Sequence, residues 1–119
     1  MAKVLVVDDA MFMRASIKQM LERNGHAVAG EAGNGLEAIE MYVNVKPDVV
    51  MLDLTMPEMN GLEALAKLKE MDPAVKVIIC TALGQREMVA RAIELGATEF
   101  IVKPFEEERL MKAIKKVCG

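Results

Sequence analysis

Aromatic residues and cysteines are scarce in this sequence of 119 residues, which has no tryptophan, one tyrosine, three phenylalanines and two cysteines. The hydrophobic core must therefore be built from aliphatic side chains and from the eleven methionines. Apolar residues still make up 53% of the chain, which is enough to bury a core and excludes an intrinsically disordered chain. The length is typical of one globular domain, so we predict a single domain over residues 1–119.

Long apolar runs are also missing. Runs such as Val4–Val7 and Val49–Leu52 are far too short to cross a bilayer, so we expect no membrane insertion. The N-terminus shows no signal-peptide pattern, and Cys80 and Cys118 match no metal-binding or redox spacing. Cys80 lies in an apolar run and is expected in the core, whereas Cys118 is expected to be exposed. A cytoplasmic protein with reduced thiols accounts for these features most simply.

The sequence also lacks a long run of charge of one sign. The net charge is −3, and acidic and basic residues are interleaved along the chain. A protein that binds nucleic acid phosphates without sequence preference needs a clustered basic patch. We therefore expect no direct binding to nucleic acid.

Short runs rich in valine and isoleucine alternate with longer amphipathic segments. The predicted strands are Lys3–Val7, Ala27–Gly30, Asp48–Leu52, Lys76–Cys80 and Glu99–Val102. Helical spacing in the five segments between and after them predicts buried faces made of Met13, Ile17, Met20 and Leu21; Leu36, Ile39 and Val43; Leu62, Leu65 and Leu68; Met88, Ala92, Ile93 and Leu95; and Leu110, Ile114 and Val117. This five-fold alternation predicts an α/β domain with a central parallel sheet and right-handed crossovers.

Residues at the ends of the predicted helices agree with this interpretation. Asn34 with Glu37, and Asn60 with Glu63, have the spacing of a capping box at a helix start. Gly25 and Gly96 stand where helices commonly end in a left-handed residue.

Polar side chains follow four of the five predicted strands. Asp8 and Asp9 follow the first strand, Asp53 the third, Thr81 the fourth and Lys103 the fifth. Sites in doubly wound sheets form beyond the carboxyl ends of the strands, so we expect these side chains to converge at one edge. Glu31 follows the second strand and is not assigned to this site.

Such a cluster predicts metal-assisted phosphoryl chemistry. Three carboxylates and one lysine leave a local charge near −2, which a hard divalent cation relieves. An all-oxygen site with few protein ligands suits Mg²⁺. Asp53 is then the candidate nucleophile that forms an acyl phosphate. Lys103 and Thr81 are the candidate hydrogen-bond donors to the phosphoryl oxygens.

Each of these residues also has a simpler structural explanation. Asp8 and Asp9 are common turn or helix-capping residues, and Asp53 stands before a loop. Thr81 can cap a turn, and Lys103 can be a solvated lysine at a strand end. Taken one at a time, all but Asp53 favour this explanation. The coincidence of suitable groups at four strand ends favours a site.

Five segments carry a family resemblance that covers the whole chain: Val4–Asp9, Asp48–Asp53, Met56–Gly61, Cys80–Ala82 and Lys103–Phe105. In this order they resemble the receiver domains of two-component response regulators. The resemblance implies a flavodoxin-like doubly wound sheet of five parallel strands in the order 2-1-3-4-5, with five helices. It also implies a cis peptide bond between Lys103 and Pro104.

The resemblance assigns roles to individual residues. Asp53 is the implied phospho-acceptor, Asp9 a direct Mg²⁺ ligand, Asp8 a ligand mainly through a metal-bound water, and the backbone carbonyl of Thr55 a further ligand. A histidine kinase is the implied phosphodonor. Apart from its own phosphorylation and dephosphorylation, such a domain is not an enzyme.

The family's switch pairs a Ser or Thr after the fourth strand with an aromatic residue in the fifth, here Thr81 and Phe100. Plain core packing is an equally good explanation for Phe100. The face formed by the fourth helix, fifth strand and fifth helix is the implied partner surface, with Arg86, Glu87 and Arg91 as candidate contacts. The segments Asp9–Arg14 and Thr81–Gln85 resemble stand-alone chemotaxis receivers of the CheY type, which implies a flagellar switch or other downstream protein as partner, and a phosphatase as another.

Four alternatives remain open. A receiver of the chemotaxis methylesterase shares the Phe-Met-Arg sequence after the paired aspartates. A degenerate receiver binds partners without phosphorylation. An enzyme of the haloacid dehalogenase type needs a second acid two positions after its nucleophile, where this chain has Thr55. A flavodoxin-like cofactor binder needs a phosphate loop after the first strand, where Asp8 and Asp9 oppose an anion.

Overall fold

Strands and helices alternate along the chain, as the sequence predicts. The computed structural model describes residues 1–54, 56 and 60–119. The strands are β1 (Lys3–Val7), β2 (Ala27–Ala32), β3 (Val49–Asp53), β4 (Val77–Ala82) and β5 (Glu99–Lys103), and the helices are α1 (Met11–Arg23), α2 (Gly35–Val45), α3 (Gly61–Met71), α4 (Arg86–Glu94) and α5 (Glu107–Cys118). None of the helices in this described part is long and apolar enough to cross a membrane.

The strands form one parallel sheet in the order β2-β1-β3-β4-β5 across the described residues, which confirms the predicted fold class. Four strands end later than predicted. Asp53 pairs with Cys80 and Lys103 pairs with Ala82, so both belong to their strands rather than to the loops beyond. The ladder continues into polar residues because backbone pairing does not depend on the side chain. The sheet itself therefore places Asp53 and Lys103.

Alternate residues of the inner strands point to opposite faces of the sheet, and each face carries a hydrophobic cluster. Leu5, Val50 and Ile79 pack on one face with α2, α3 and α4. Val6, Met51 and Ile78 pack on the other face with α1 and α5. Because both faces are covered, these strands are apolar nearly throughout, which is the pattern that the sequence shows.

The predicted buried faces of α2 and α4 are wrong in part. Leu36 and Val43 of α2 are 50% and 55% exposed, and Ile93, in α4, is 52% exposed. Leu95, just after α4, is 37% exposed. The fully buried contacts are instead Ala38 in α2 and Ala92 in α4. Small side chains allow these helices to lie close to the sheet, and this turns some of the larger apolar residues outward.

The helix ends follow the predicted chemistry with one difference. At α3 the capping box of Asn60 and Glu63 is complete. At α2, Asn34 accepts a hydrogen bond from the Glu37 backbone N–H, but Glu37 Oε1 accepts from Gly33 N at 2.7 Å instead of from Asn34. The left-handed residues predicted at Gly25 and Gly96 have φ angles of 80° and 102°.

The two cysteines differ in burial. Cys80 is 2% exposed, and burial raises the pKa of its thiol to about 12. Cys118 is half-buried rather than exposed as predicted, and burial also raises its pKa from the model-compound value of 9.0. Thiolate is the reactive form, so a buried thiol with a raised pKa reacts slowly.

We therefore expect iodoacetamide at about pH 8 to modify Cys118 alone in the native protein and both thiols in urea. Peptide mapping by mass spectrometry distinguishes the two sites. Equal rates at Cys80 and Cys118 in the native state would contradict the described packing of β4.

Candidate functional site

The carboxyl ends of the strands bring the predicted acidic residues together. One carboxylate oxygen from each of Asp8, Asp9 and Asp53 lies within 4.8 Å of the other two. Asp8 and Asp53 are 1% and 5% exposed, whereas Asp9 faces solvent. We call these three residues the carboxylate cluster. The cluster therefore joins two buried acids to one acid that faces solvent.

Lys103 reaches this cluster from the end of β5. Its Nζ donates a hydrogen bond to Asp8 Oδ2 at 2.5 Å and lies 3.5 Å from Asp53 Oδ2. Burial lowers the pKa of the Lys103 amine, but the hydrogen bond to Asp8 and the charges of Asp53 and Asp8 outweigh burial, so its pKa lies above the usual value. Lys103 therefore remains a cation between the two buried acids.

The donor set of the cluster fits a hard divalent cation. Three carboxylates and one ammonium leave a local charge of about −2, and all the ligand atoms that the cluster offers are oxygens. Soft thiolate or imidazole ligands, which select other metals, are not among its members. The predicted ligand Thr55 lies outside the described residues.

Asp8 is fixed by hydrogen bonds at its backbone N–H, its side chain and its carbonyl. Its backbone N–H donates to Ala32 O at 3.0 Å, and its Oδ1 accepts from Ala10 N at 2.9 Å. Its carbonyl accepts from Arg14 Nη1 at 2.5 Å, and Arg14 Nε also donates to Glu31 Oε1 at 3.2 Å. Neither Arg14 nor Glu31 was predicted to contribute to the site. A basic residue just inside a helix that lacks a polar N-cap is the signal that points to Arg14.

The backbone next to Asp53 is held by β4 and by the start of α3. The next residue, Leu54, donates its N–H to Cys80 O at 3.2 Å and accepts at its carbonyl from Gly61 N at 3.0 Å. A Cβ atom on Gly61 would collide with Asp53 O and Leu54 Cα. Gly61 was also missed as a site residue, because sequence position alone does not show which backbone it approaches.

Thr81 lies at the carboxyl edge of the sheet, whereas Phe100 lies near the start of β5 and pairs with Ile79. Both residues line the groove between α4 and β5. Thr81 is 3% exposed, and its Oγ1 has a long contact of 3.4 Å with Ala82 O. Phe100 is half-buried and packs against the hydrophobic cluster beside α4, and its carbonyl accepts from Arg109 Nη2 at 2.8 Å. The Lys103–Pro104 peptide bond is cis, as the resemblance implies.

Phe100 lies between two grooves of the surface. One, of about 400 Å³, is lined by residues of α4 and β5 that include Leu83, Val89 and Ile93. The other, of about 530 Å³, lies beside the start of α5 and includes Phe105 and Arg109. A residue with open space on both sides has room to change rotamer, although packing alone also explains its position.

Comparison with known proteins gives one consistent result. Residues 4–115 match the response regulator receiver domain family. The chemotaxis protein CheY of Listeria monocytogenes is 55% identical over 118 residues, which cover 99% of each chain. CheY of Thermotoga maritima is 51% identical, with 97% of this chain and 96% of the relative covered.

A solved structure shows the same fold. The CheX–CheY complex with BeF3 and Mg²⁺ from Borrelia burgdorferi contains a chain that is 34% identical to this one, with a TM-score of 0.92. The match covers 97% of this chain and 87% of that chain. Together with the strand order and the acidic edge of the sheet, these matches show that the chain belongs to the response regulator receiver domain family.

Proposed function

We propose that this chain is a phospho-acceptor switch in chemotaxis, with Asp53 as the acceptor and Mg²⁺ as the cofactor. The carboxylate cluster with Lys103 bound between Asp8 and Asp53 is the observation that carries this proposal. The similarity to CheY over nearly the whole chain supports the assignment to chemotaxis. The same similarity supports a cytoplasmic location.

The reaction is a transfer of one phosphoryl group. A carboxylate oxygen of Asp53 forms the new bond to phosphorus, while the bond between phosphorus and the imidazole nitrogen of a histidine kinase breaks. Asp9 and Asp53, with Asp8, would hold Mg²⁺, which would supply positive charge opposite the phosphoryl oxygens. Lys103 and Thr81 donate hydrogen bonds to these oxygens. The chain catalyses only its own phosphorylation and dephosphorylation.

We infer that Lys103 exchanges partners in this reaction. It now donates to Asp8, and in the phosphorylated state it donates to a phosphoryl oxygen. A long, flexible side chain with a point charge suits such an exchange, whereas a guanidinium has a fixed fork geometry.

The output proposed for this exchange is a change on the face formed by α4, β5 and α5. Thr81 moves toward the phosphoryl group, and Phe100 rotates into the space that Thr81 leaves. The apolar groove between α4 and β5, with Leu83 and Ile93 exposed, supports this face as the surface that binds a flagellar switch or other downstream protein. The Borrelia complex of CheX with CheY supports a CheX-like protein as a further partner.

We expect Lys103→Arg to accept a phosphoryl group but to transmit little of the switch, because arginine cannot reproduce the point contact. The measurement is the change in the Thr81 and Phe100 amide chemical shifts on adding beryllium fluoride and Mg²⁺. Native-sized changes in the variant would show that Lys103 does not couple the site to the output face.

The proposed function itself is tested by intact mass after incubation with acetyl phosphate and Mg²⁺. We expect a gain of one phosphoryl group that disappears when EDTA is present from the start. A second small donor is tried if acetyl phosphate fails. The absence of labelling with both donors and with a histidine kinase would favour a degenerate receiver that only binds partners.

A further inference from the structure

The loop between β1 and α1 carries two of the three members of the carboxylate cluster, yet its helix begins without a side-chain cap. Ala10 occupies the N-cap position of α1 and has no polar side-chain atom. By contrast, Asn34 and Asn60 cap α2 and α3. A helix start without a capping side chain leaves backbone N–H groups unsatisfied and the preceding loop less constrained. Another group must hold this loop if its aspartates are to keep a fixed geometry.

Arg14 supplies the missing restraint from within α1. Its guanidinium turns back to the loop, where Nη1 donates to Asp8 O, and Nε donates across to Glu31 Oε1 on β2. The Arg14 side chain is only 16% exposed, and the Glu31 side chain is 39% exposed. The planar fork of arginine can hold two acceptors at once, which the single ammonium of lysine does less well.

The backbone N–H and the backbone carbonyl of Asp8 are both joined to β2. The Asp8 N–H donates to Ala32 of β2, and its carbonyl is joined through Arg14 to Glu31 of β2. The peptide units on both sides of Asp8 are therefore tied to β2, immediately before Asp9. The rigid sheet, rather than the helix start, then sets the direction of both carboxylates relative to Asp53.

We propose that Arg14 is a positioning residue that holds the loop bearing Asp8 and Asp9 in its metal-binding arrangement, by joining the Asp8 carbonyl to Glu31. This inference rests on the proposed function, because it concerns the affinity of the carboxylate cluster for Mg²⁺. Groups that orient metal ligands typically change metal affinity by about 10-fold or more when they are removed.

The positive charge of Arg14 weakens Mg²⁺ binding, whereas its proposed positioning role strengthens Mg²⁺ binding. A cation near the cluster repels Mg²⁺, so its removal strengthens binding if charge alone matters. Arg14→Lys keeps the charge and removes the fork. We expect Arg14→Lys to weaken Mg²⁺ binding by about 5- to 10-fold. Arg14→Gln is also expected to weaken binding, although electrostatics alone predicts tighter binding.

The affinity is measured by titrating the protein with Mg²⁺ and monitoring the amide chemical shifts of Asp9 and Ala10. This measurement requires no phosphorylation. Arg23→Lys is the matched control, because Arg23 lies on the same helix and pairs with the exposed Glu107 far from the loop. Its affinity is expected to equal the native value. Native affinity in both Arg14 variants would overturn the proposal.

Glu31→Ala removes the acceptor of the Arg14 contact on β2. This variant tests the same restraint even if the Arg14 variants fold poorly. We expect about 3-fold weaker Mg²⁺ binding, and no further loss in the Arg14→Lys/Glu31→Ala double variant, because the pair acts as one unit. Unchanged affinity in Glu31→Ala, or fully additive losses, would overturn the proposal. If native protein binds no Mg²⁺, the proposed function fails first and the inference fails with it.

Discussion

Asp53→Asn is expected to abolish phosphorylation while leaving the fold intact. The amide that replaces the carboxylate is not a nucleophile toward phosphorus. Asp8 and Asp9 follow β1 rather than β3, so neither carboxylate takes the position of Asp53. Asparagine has nearly the same shape as aspartate, so the packing around this 5% exposed residue is conserved. The substitution loses an attraction to Lys103 and also removes repulsion from Asp8 and Asp9. These effects oppose each other, and we expect the free energy of unfolding to change by about 1 kcal/mol or less.

Asp48→Asn is the matched control for this experiment. Asp48 immediately precedes β3, at the end of the strand opposite to Asp53, and its Oδ2 accepts a hydrogen bond from Lys3 N. We expect this variant to take up one phosphoryl group from acetyl phosphate at the native rate. Intact mass and urea unfolding are measured on both variants. Native-level labelling of Asp53→Asn would assign the acceptor role to another residue.

Gly61→Ala is expected to damage both stability and phosphorylation, although alanine is the better helix former. The added Cβ atom meets the backbone of Asp53 and Leu54, which cannot move aside as a flexible side chain would. Overpacking of this kind typically lowers the free energy of unfolding by roughly 1–3 kcal/mol. Because the added atom meets backbone, we expect a loss of about 2–3 kcal/mol. Relief of the collision shifts the acceptor, so we also expect slower labelling of Asp53.

Gly33→Ala provides the comparison for stability. A Cβ at Gly33 lies 3.3 Å from Glu37 Oε1, at the end of a flexible side chain, and 3.5 Å from Arg14 Nη1, a normal van der Waals distance that leaves the Arg14 contacts in place. We expect a change in unfolding free energy within about 0.5 kcal/mol. Equal effects of the two substitutions in urea unfolding would show that the close approach of Gly61 to Asp53 is unimportant.

The sequence predicts the sheet well because its signal is local and redundant. Apolar runs rich in valine and isoleucine mark strands buried on both faces, and the residues that follow them mark one edge. The sequence alone therefore assigns Asp8, Asp9, Asp53 and Lys103 to one cluster. The strand order came from the family resemblance rather than from periodicity.

The remaining features depend on tertiary approach, which periodicity does not encode. The outward positions of Leu36 and Ile93 follow from the close packing of Ala38 and Ala92. Arg14 joins residues from three segments, and Gly61 is constrained by a backbone eight positions earlier in the chain. The proposed role of the Thr55 carbonyl falls outside the described residues and stays a prediction.

The most direct test of the central claim is to locate the phosphoryl group itself. Native protein labelled by acetyl phosphate with Mg²⁺ is reduced with borohydride, which converts an aspartyl phosphate into homoserine, and its peptides are sequenced by mass spectrometry. We predict homoserine at Asp53 alone, and loss of the label in alkali before reduction. Homoserine at Asp8 or Asp9, or an alkali-resistant phosphate on Thr81, would contradict the account of this site.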